Sequence, residues 1–185
     1  MSHLRRSVLA TQISEHIGVD VGECYQCGKC TAGCPMAAYM DLSPNQVMHL
    51  AQVGDEEASD KLLRSKTIWV CAGCLTCTQR CPRKLDPAAV MDALREMSCR
   101  AGKVSPQARK ILAFHKSFLK TVESGGRMAE FPLTRRYKMA SMDLFSDMAL
   151  APAMMARGKL HLVSKKVKAR KEIRRIFAAC REGRR

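Results

Sequence analysis

The sequence predicts an all-α fold for this chain of 185 residues. Apolar residues recur every three or four positions along most of the chain, as they do on the buried face of a helix. A capping residue followed directly by proline also marks a helix start, because proline at the first helical position loses no hydrogen bond. Three such starts occur, at Ser43-Pro44, Asp86-Pro87 and Ser105-Pro106. Strand signals are few, and only residues 67–70 could form a short extended segment.

The first two helices can be placed from their spacing and their ends. Leu4 and Val8 open a run with helical periodicity, and Gly18 is suited to end it. The next helix begins after Ser43, where Gln46 three residues later completes the pattern of a capping box. These signals predict two separate helices before residue 55.

Later helices follow the same logic. Residues 56–64 have a helical pattern, and the run after Asp86 predicts a helix that ends at Gly102. The run that follows is a further helix, ended by the pair Gly125-Gly126. A last, basic helix is expected from about Ser164.

One internal repeat carries the chemistry of the chain. Four cysteines followed by proline have the spacing C-x2-C-x2-C-x3-C-P, and the same pattern returns 47 residues later. The first motif holds Cys24, Cys27, Cys30 and Cys34, and the second holds Cys71, Cys74, Cys77 and Cys81. The two motifs use eight of the ten cysteines.

This spacing is that of proteins with two [4Fe–4S] clusters. Three thiolates on one short turn can reach three corners of a cubane, and the fourth cysteine of each motif serves the other cluster. Cluster 1 is therefore assigned to Cys24, Cys27, Cys30 and Cys81. Cluster 2 is assigned to Cys71, Cys74, Cys77 and Cys34.

Structural zinc and disulfides are the alternatives to this assignment. Zinc prefers two C-x2-C pairs around one tetrahedral site, which leaves no use for a third cysteine two residues further on. Disulfides persist mainly in oxidising compartments, and polar residues interrupt any apolar stretch near the N-terminus that could act as an export signal. We therefore expect iron–sulfur clusters in a cytoplasmic protein.

The composition excludes global disorder and a transmembrane span. Hydrophobic residues make up 46% of the chain, and no window approaches the ~20 consecutive apolar residues that a span requires. The formal net charge is +15, and residues 159–185 contribute 11 basic and 2 acidic side chains to it. This tail could dock on an acidic partner subunit, lie on a membrane surface or form a solvated helix. Docking is the favoured interpretation, and nucleic acid is the least favoured partner.

We divide the chain into three parts. Residues 1–103 form a two-cluster domain, residues 104–158 a helical extension, and residues 159–185 a basic docking helix or tail. No Gly-rich phosphate loop or haem motif accompanies the cysteines, so the chain has no predicted catalytic residue.

Several residues near the motifs have both a structural and a functional interpretation. Trp69 and Val70 precede the second motif and could shield a cluster from water, although ordinary core packing is favoured. Basic residues close to the motifs could raise the potential of an anionic cluster, or could be solvated or bind a neighbouring subunit. They are Lys29, Arg80, Arg83 and Lys84. The remaining cysteines, Cys99 and Cys180, are expected to be buried or partly buried thiols.

At this point a family resemblance becomes specific. The segments ECYQCGKCTAGCP, residues 23–35, and IWVCAGCLTCTQRCPRK, residues 68–84, resemble the C-type subunit of heterodisulfide reductase. Trp69 and Arg83 also match that family's pattern. The resemblance covers roughly residues 20–105, and the tail is more similar to bacterial, heterodisulfide-reductase-like relatives.

The resemblance implies a helical ferredoxin fold with two [4Fe–4S] clusters, which the two helices between the motifs also favour over a small β-type ferredoxin. It implies a non-catalytic subunit that relays single electrons between two partners. These are an A-type, flavin- and iron–sulfur-containing subunit and a B-type, catalytic subunit. The catalytic subunit acts on a disulfide or thiol, and a hydrogenase or formate dehydrogenase module is a further expected neighbour.

Two other functions are compatible with the same motifs. The chain could be an independent ferredoxin-type carrier, or the iron–sulfur subunit of a membrane quinone-linked oxidoreductase. A free carrier has no need for 80 residues of helical extension and tail, which favours a permanent partner.

Overall fold

The computed structural model describes residues 8–142, 156–157 and 167–182, and all regular structure in these ranges is helical. The chain divides into two compact units, Met1–Ala108 and Arg109–Arg185. The predicted all-α fold class is confirmed. No helix in the described ranges has the length and apolar character to cross a bilayer.

The first unit is built from seven α-helices and three short 3-10 turns among its described residues. The α-helices are α1 (Val8–Ile17), α2 (Lys29–Ala32), α3 (Pro44–Val53), α4 (Glu56–Arg64), α5 (Thr67–Val70), α6 (Thr76–Gln79) and α7 (Pro87–Arg100). The 3-10 turns are Val21–Glu23, Ala37–Tyr39 and Pro106–Ala108.

The predicted helix starts at Ser43 and Asp86 have the expected caps. The backbone N–H of Ser43 donates to Gln46 Oε1 at 2.8 Å, and Asp86 Oδ1 accepts from the backbone N–H of Ala89 at 3.0 Å. Pro44 and Pro87 occupy the first helical position in each case. After Ser105 the chain first makes a 3-10 turn and only then enters the next α-helix.

The prediction of an extended segment at residues 67–70 is wrong, since these residues form the helical turn α5. The carboxylate of Asp41 accepts hydrogen bonds from the backbone N–H groups of Lys66 and Thr67 at 3.0 and 2.9 Å. It thereby satisfies amide groups that a helix start leaves unpaired. Because the cap lies about 25 residues upstream, the local sequence pattern does not reveal it.

The core of the first unit lies between α1, α3, α4 and α7, with α5 packed against α7. Its largest fully buried apolar side chains are Ile13, Val21, Val47, Met48, Leu62, Ile68, Leu85, Val90 and Leu94. Each such side chain contributes about 1.5–3 kcal/mol through removal from water. The cysteine motifs occupy the connections between these helices and are held by them.

The second unit contains α8 (Arg109–Gly125), α9 (Glu130–Ser141) and α10 (Arg170–Glu182) among its described residues. Helices α9 and α10 both pack against α8. The predicted break at Gly125-Gly126 is confirmed, since α8 ends there and Gly126 has a φ of +84°. A Cβ at Gly126 would lie 2.8 Å from the Cβ of Val167, so glycine allows the tail to approach.

The tail helix begins later than the sequence predicts. Helix α10 starts at Arg170, and residues 167–169 precede it without α-helical structure. The expected start near Ser164 lies outside the described residues, as does the N-terminal part of the first helix before Val8. Arg181 of α10 forms an ion pair with Glu123 of α8.

Candidate metal centre

The cysteine repeat is also a repeat in backbone conformation. Helical turns α2 and α6 occupy the same place in the two motifs, 47 residues apart. Gln26 and its counterpart Gly73 have φ values of 60° and 62°, and Gly28 and its counterpart Leu75 have values of 74° and 59°. Each motif therefore needs two left-handed residues. The first motif has its glycine at the second of these positions, and the second motif has its glycine at the first.

The two motifs pack against each other at equivalent residues. Gly33 and Arg80 follow α2 and α6 and occupy the same register of the repeat. The Arg80 side chain lies over Gly33, where a Cβ would be 2.9 Å from Arg80 Cδ. Contact between equivalent residues is the pattern of a two-fold axis, so the repeat is arranged as an internal pseudo-dimer.

The first cavity is lined by Cys24, Cys27, Cys30 and Cys81. Three of these cysteines come from the first motif and one from the second. Met48, Leu85 and Pro87 supply apolar walls.

The second cavity is lined by Cys71, Cys74, Cys77 and Cys34. Here three cysteines come from the second motif and one from the first. Met36, Met40 and Met91 supply apolar walls, and Pro87 lines this cavity as well as the first. The structure thus brings together both predicted sets of four cysteines, each set in its own cavity.

The donors of these cavities suit an iron–sulfur cubane. Within the described residues, no three His, Cys, Asp or Glu side chains converge on a position for one metal ion. Two sets of four soft thiolates match the ligand preference of iron–sulfur clusters.

The pKa values of the thiols shift in the same direction at one pair of equivalent cysteines. Burial raises the pKa of Cys30 and of its counterpart Cys77. A hydrogen bond with Thr76, whose Oγ1 lies 3.4 Å from Cys74 Sγ, lowers the pKa of the Cys74 thiol. Because only thiolates bind metal, loading of either cavity requires loss of these protons.

The sequence analysis missed two residues that hold the motifs in place, Gln52 and Arg95. Gln52 Nε2 donates to the backbone carbonyl of Cys24 at 2.7 Å, and the Arg95 guanidinium donates to the carbonyls of Ile68 and Cys71. Cys24 and Cys71 are equivalent in the repeat.

The helices that carry Gln52 and Arg95 are themselves related by sequence. Both begin with the pattern P-x-x-V-M, at Pro44 and again 43 residues later at Pro87. In this register Gln52 corresponds to Arg95. Comparison of the two helices would have found the pair, since the repeat extends beyond the cysteines with a shift of four residues.

Asp41 is a third residue that the sequence analysis missed. Its Oδ1 accepts hydrogen bonds from the hydroxyls of Ser65 and Thr67 at 2.7 and 2.6 Å, in addition to its backbone bonds at the start of α5. Partial desolvation would raise the pKa of Asp41, but these hydrogen bonds outweigh it and lower the pKa from 3.8 to about 2. Asp41 therefore fixes the turn that leads directly into Cys71.

Other predicted residues have more ordinary positions. Trp69 is only 7% exposed, but neither it nor Val70 lines a cavity, so both are core or near-core residues. The prediction that Cys99 and Cys180 are buried or partly buried is wrong, since both are exposed. On α7 the buried face includes Ser98, and the next residue, Cys99, points about 100° away from it.

The basic residues near the motifs are all exposed. Lys29 lines the first cavity, and Arg83 forms an ion pair with Glu23 at 2.9 Å. Arg80 lies between the motifs over Gly33, as described above.

Comparison with known proteins agrees with this geometry. Residues 23–85 match the model of the 4Fe-4S dicluster domain. This match covers both cysteine motifs and the helices between them. The chain binds two [4Fe–4S] clusters.

Among curated proteins the chain is similar to the C-type subunits of several archaeal heterodisulfide reductases. The C-type subunit of the ferredoxin:CoB-CoM heterodisulfide reductase of Methanosarcina acetivorans is 39% identical over 88 residues, which are 48% of this chain and 33% of that protein. Its counterpart in the H(2):CoB-CoM heterodisulfide,ferredoxin reductase of Methanothermobacter marburgensis is 30% identical over 115 residues, 60% of each chain.

A third relative is a C-type iron-sulfur subunit of the CoB--CoM heterodisulfide reductase of Methanocaldococcus jannaschii, which is 29% identical over 118 residues. That alignment covers 64% of this chain and 61% of the relative. The chain thus spans between one third and about three fifths of the length of these relatives. The predicted resemblance to the C-type subunit of heterodisulfide reductase is confirmed, and the part of the chain that carries it, residues 23–85, is similar to the 4Fe-4S dicluster domain.

Proposed function

We propose that the chain is the electron-relay subunit of a heterodisulfide-reductase-type complex. One observation carries this proposal: each of two cavities is lined by four cysteines, three from one motif and the fourth from the other. The absence of a predicted catalytic residue in the sequence agrees with a relay role. The chain would not itself carry the active site of the complex.

The proposed ligands of cluster 1 are Cys24, Cys27, Cys30 and Cys81. Those of cluster 2 are Cys71, Cys74, Cys77 and Cys34. When bound, each [4Fe–4S] cluster supplies a centre that accepts and releases one electron. The crossed fourth ligand ties the two motifs together, so neither centre can form without the other motif.

The chain's own residues shield part of each centre from water. Pro87 lines both cavities and so lies between them. Met48 on α3 and Met91 on α7 are 2% exposed and line the first and the second cavity respectively. Buried apolar side chains limit the access of water, which favours rapid transfer without large solvent reorganisation.

Each centre also has one ligand at the surface. Cys27 and its counterpart Cys74 are exposed, whereas the other six motif cysteines are half-buried. One exposed side per centre gives a route for an electron to arrive at one centre and leave from the other. This arrangement suits a relay between two partners.

The proposal requires two partners, a flavin- and iron–sulfur-containing subunit and a catalytic, disulfide-reducing subunit. A hydrogenase or formate dehydrogenase module would act upstream of the flavin-containing partner. We propose a three-part division of the chain: residues 1–103 hold the clusters, 104–158 extend the helical structure, and 159–185 dock on a partner. On the described part of this tail, Lys168, Lys171, Arg174 and Arg175 are exposed.

The proposal is tested by isolation of the complex from the native host under anaerobic conditions. The full chain, tagged at its N-terminus, should co-purify with a flavoprotein and a second iron–sulfur subunit. In that complex, dithionite-reduced clusters of this chain should be reoxidised when a disulfide substrate is added. Migration of the chain alone near its mass of 20.6 kDa would instead indicate an independent carrier.

The docking role of the tail has its own test within the same preparation. A chain truncated after Gly158 should keep its clusters and lose most of its partner subunits. A matched control is the double variant Lys61→Gln/Lys116→Gln, which removes two exposed charges elsewhere. Unchanged co-purification after truncation would show that the tail does not dock.

A further inference from the structure

The two cavities are related by the repeat, but their rims have different charges. Four exposed charged residues flank the first cavity's cysteines in sequence: Glu23, Lys29, Arg83 and Lys84. We call this set the basic rim. At the four equivalent positions around the second cavity, 47 residues away in the repeat, lie Val70, Thr76, Met36 and Ala37. We call this set the uncharged rim.

The members of the basic rim are connected to the first cavity in three ways. Lys29 lines the cavity itself, and Lys84 follows Cys81 by three residues, with its backbone N–H bonded to the Cys81 carbonyl at 3.1 Å. Arg83 is fixed by its ion pair with Glu23, which joins the two segments that flank the cavity. The rim therefore holds three cations against one carboxylate.

The uncharged rim shows that this charge is not a requirement of the fold. The second motif repeats the cysteine spacing and the helical turn of the first, with threonine, methionine, alanine and valine at these four positions. Exposed apolar residues such as Leu75, which is 50% exposed, lie beside the exposed ligand Cys74. Arg95, which donates to the Cys71 carbonyl of the second motif, is only 22% exposed and so is not part of this surface.

We propose that the basic rim is the docking surface for a redox protein with an acidic surface, and that electrons pass between that protein and this chain at Cys27. The inference rests on the proposed relay function and adds the position and the chemistry of one of its two partners. Charge complementarity across such a surface speeds encounter and orients the partner, an effect that weakens as salt rises. The uncharged rim then faces the other side of the relay.

The test uses the full-length protein loaded with both clusters and two carriers of opposite charge. Flavodoxin hydroquinone, an acidic donor, gives one electron to the oxidised protein and becomes the semiquinone. Ferricytochrome c, a basic acceptor, takes one electron from the reduced protein. Stopped-flow spectroscopy gives the second-order rate constant of each reaction at low and high salt.

The rim variant is Lys29→Gln/Lys84→Gln, and the control is Lys61→Gln/Lys116→Gln, which lowers the net charge equally at exposed sites outside the rim. The expected result is a flavodoxin rate constant that falls about five-fold or more in the rim variant and less than about two-fold in the control. High salt should lower the wild-type rate and remove the difference. The reaction with cytochrome c should not slow in the rim variant.

Equal slowing in both variants would overturn the proposal, because it would assign the effect to net charge. An unchanged flavodoxin rate in the rim variant would also overturn it, while leaving the relay function intact. Failure of the relay itself would look different, since the loaded wild-type protein would then exchange electrons with neither carrier. Iron content near eight per chain in every variant confirms that the substitutions did not disturb the cavities.

Discussion

The guanidinium of Arg95 donates a hydrogen bond to the backbone carbonyl of Cys71, the first cysteine of the second motif. The equivalent carbonyl, that of Cys24, accepts from the neutral amide of Gln52 instead. Because Gln52 and Arg95 occupy the same position of repeated helices, the chain contains a charged and an uncharged version of one contact. The side chain of Arg95 is only 22% exposed, so water screens its charge less than that of a surface residue.

Replacement of Arg95 by glutamine should lower the reduction potential of cluster 2, because a nearby cation stabilises the more negative, reduced state. A half-buried charge within about 10 Å contributes roughly 1–2 kcal/mol, or several tens of millivolts for one electron. The exposed carboxylate of Asp92, 2.6 Å from Arg95 Nη1, reduces the effect. EPR-monitored redox titration measures the potentials of both clusters.

The reciprocal variant Gln52→Arg should raise the potential of cluster 1 and leave that of cluster 2 nearly unchanged. Arg95→Lys retains the charge and should restore most of the lost potential. Equal potentials in wild type and Arg95→Gln, with both clusters intact, would show that the guanidinium only supports the backbone.

The left-handed residues of the two motifs lead to a prediction about stability. Gln26 and Leu75 adopt positive φ values, which strain residues other than glycine by about 1 kcal/mol. Gln26→Gly and Leu75→Gly should therefore be neutral or slightly stabilising. Gly28 and Gly73 are the other left-handed residues of the two motifs, and a Cβ at either would meet no atom within 4 Å. Alanine there should therefore destabilise the protein by about 1 kcal/mol through backbone strain alone.

Thermal unfolding of the loaded protein measures these four variants under identical conditions. The prediction concerns the sign of each change, which should depend on φ and not on which motif is altered. A loss of stability in Leu75→Gly comparable to that in Gly73→Ala would contradict it, and would assign the cost to lost side-chain contacts.

Asp41 should make the free energy of unfolding depend on pH in the acid range. Its pKa is lowered from 3.8 to about 2 in the folded protein, so its contribution is complete above the unfolded pKa and disappears as the pH falls through the folded value. Because Asp41 is exposed and solvent screens its charge, Asp41→Asn should lower the free energy of unfolding by only about 1 kcal/mol at pH 7 through loss of the charged cap of α5. Urea unfolding of both proteins between pH 7 and pH 3 measures the difference.

The difference between wild type and Asp41→Asn should be constant from pH 7 to about pH 5 and should shrink below that. Loss of the clusters in acid affects both proteins and cancels in the comparison. A difference that stays constant down to pH 3 would mean that the carboxylate charge does not contribute to the hydrogen-bond network.

Much of the site could be predicted from sequence because its signals are local. The cysteine spacing predicted the two sets of four cysteines that line the cavities, and the Ser43 and Asp86 caps predicted the starts of two helices beside them. Asp41 was missed because its partners at residues 65–67 are distant in sequence. Gln52 and Arg95 were missed for a different reason, since the repeat shifts its register by four residues between the cysteines and the helices.

Cys99 was wrongly predicted to be buried because its helix is amphipathic. On such a helix a shift of one residue moves a side chain from the buried face to the exposed face. Ser98, next to it, is fully buried and donates to the carbonyl of Leu63 at 2.7 Å. A pattern of apolar residues does not predict that a serine occupies the buried position and a cysteine the exposed one.

The central claim is that the fourth cysteine of each motif serves the other motif's cluster, and two double variants test it most directly. Cys27→Ala/Cys81→Ala removes two ligands of cluster 1 only, so the protein should retain about four irons and one intact cluster. Cys27→Ala/Cys34→Ala removes one ligand from each cluster, so neither should remain intact by iron content and EPR. The reverse result, with one intact cluster in Cys27→Ala/Cys34→Ala and none in Cys27→Ala/Cys81→Ala, would contradict crossed ligation.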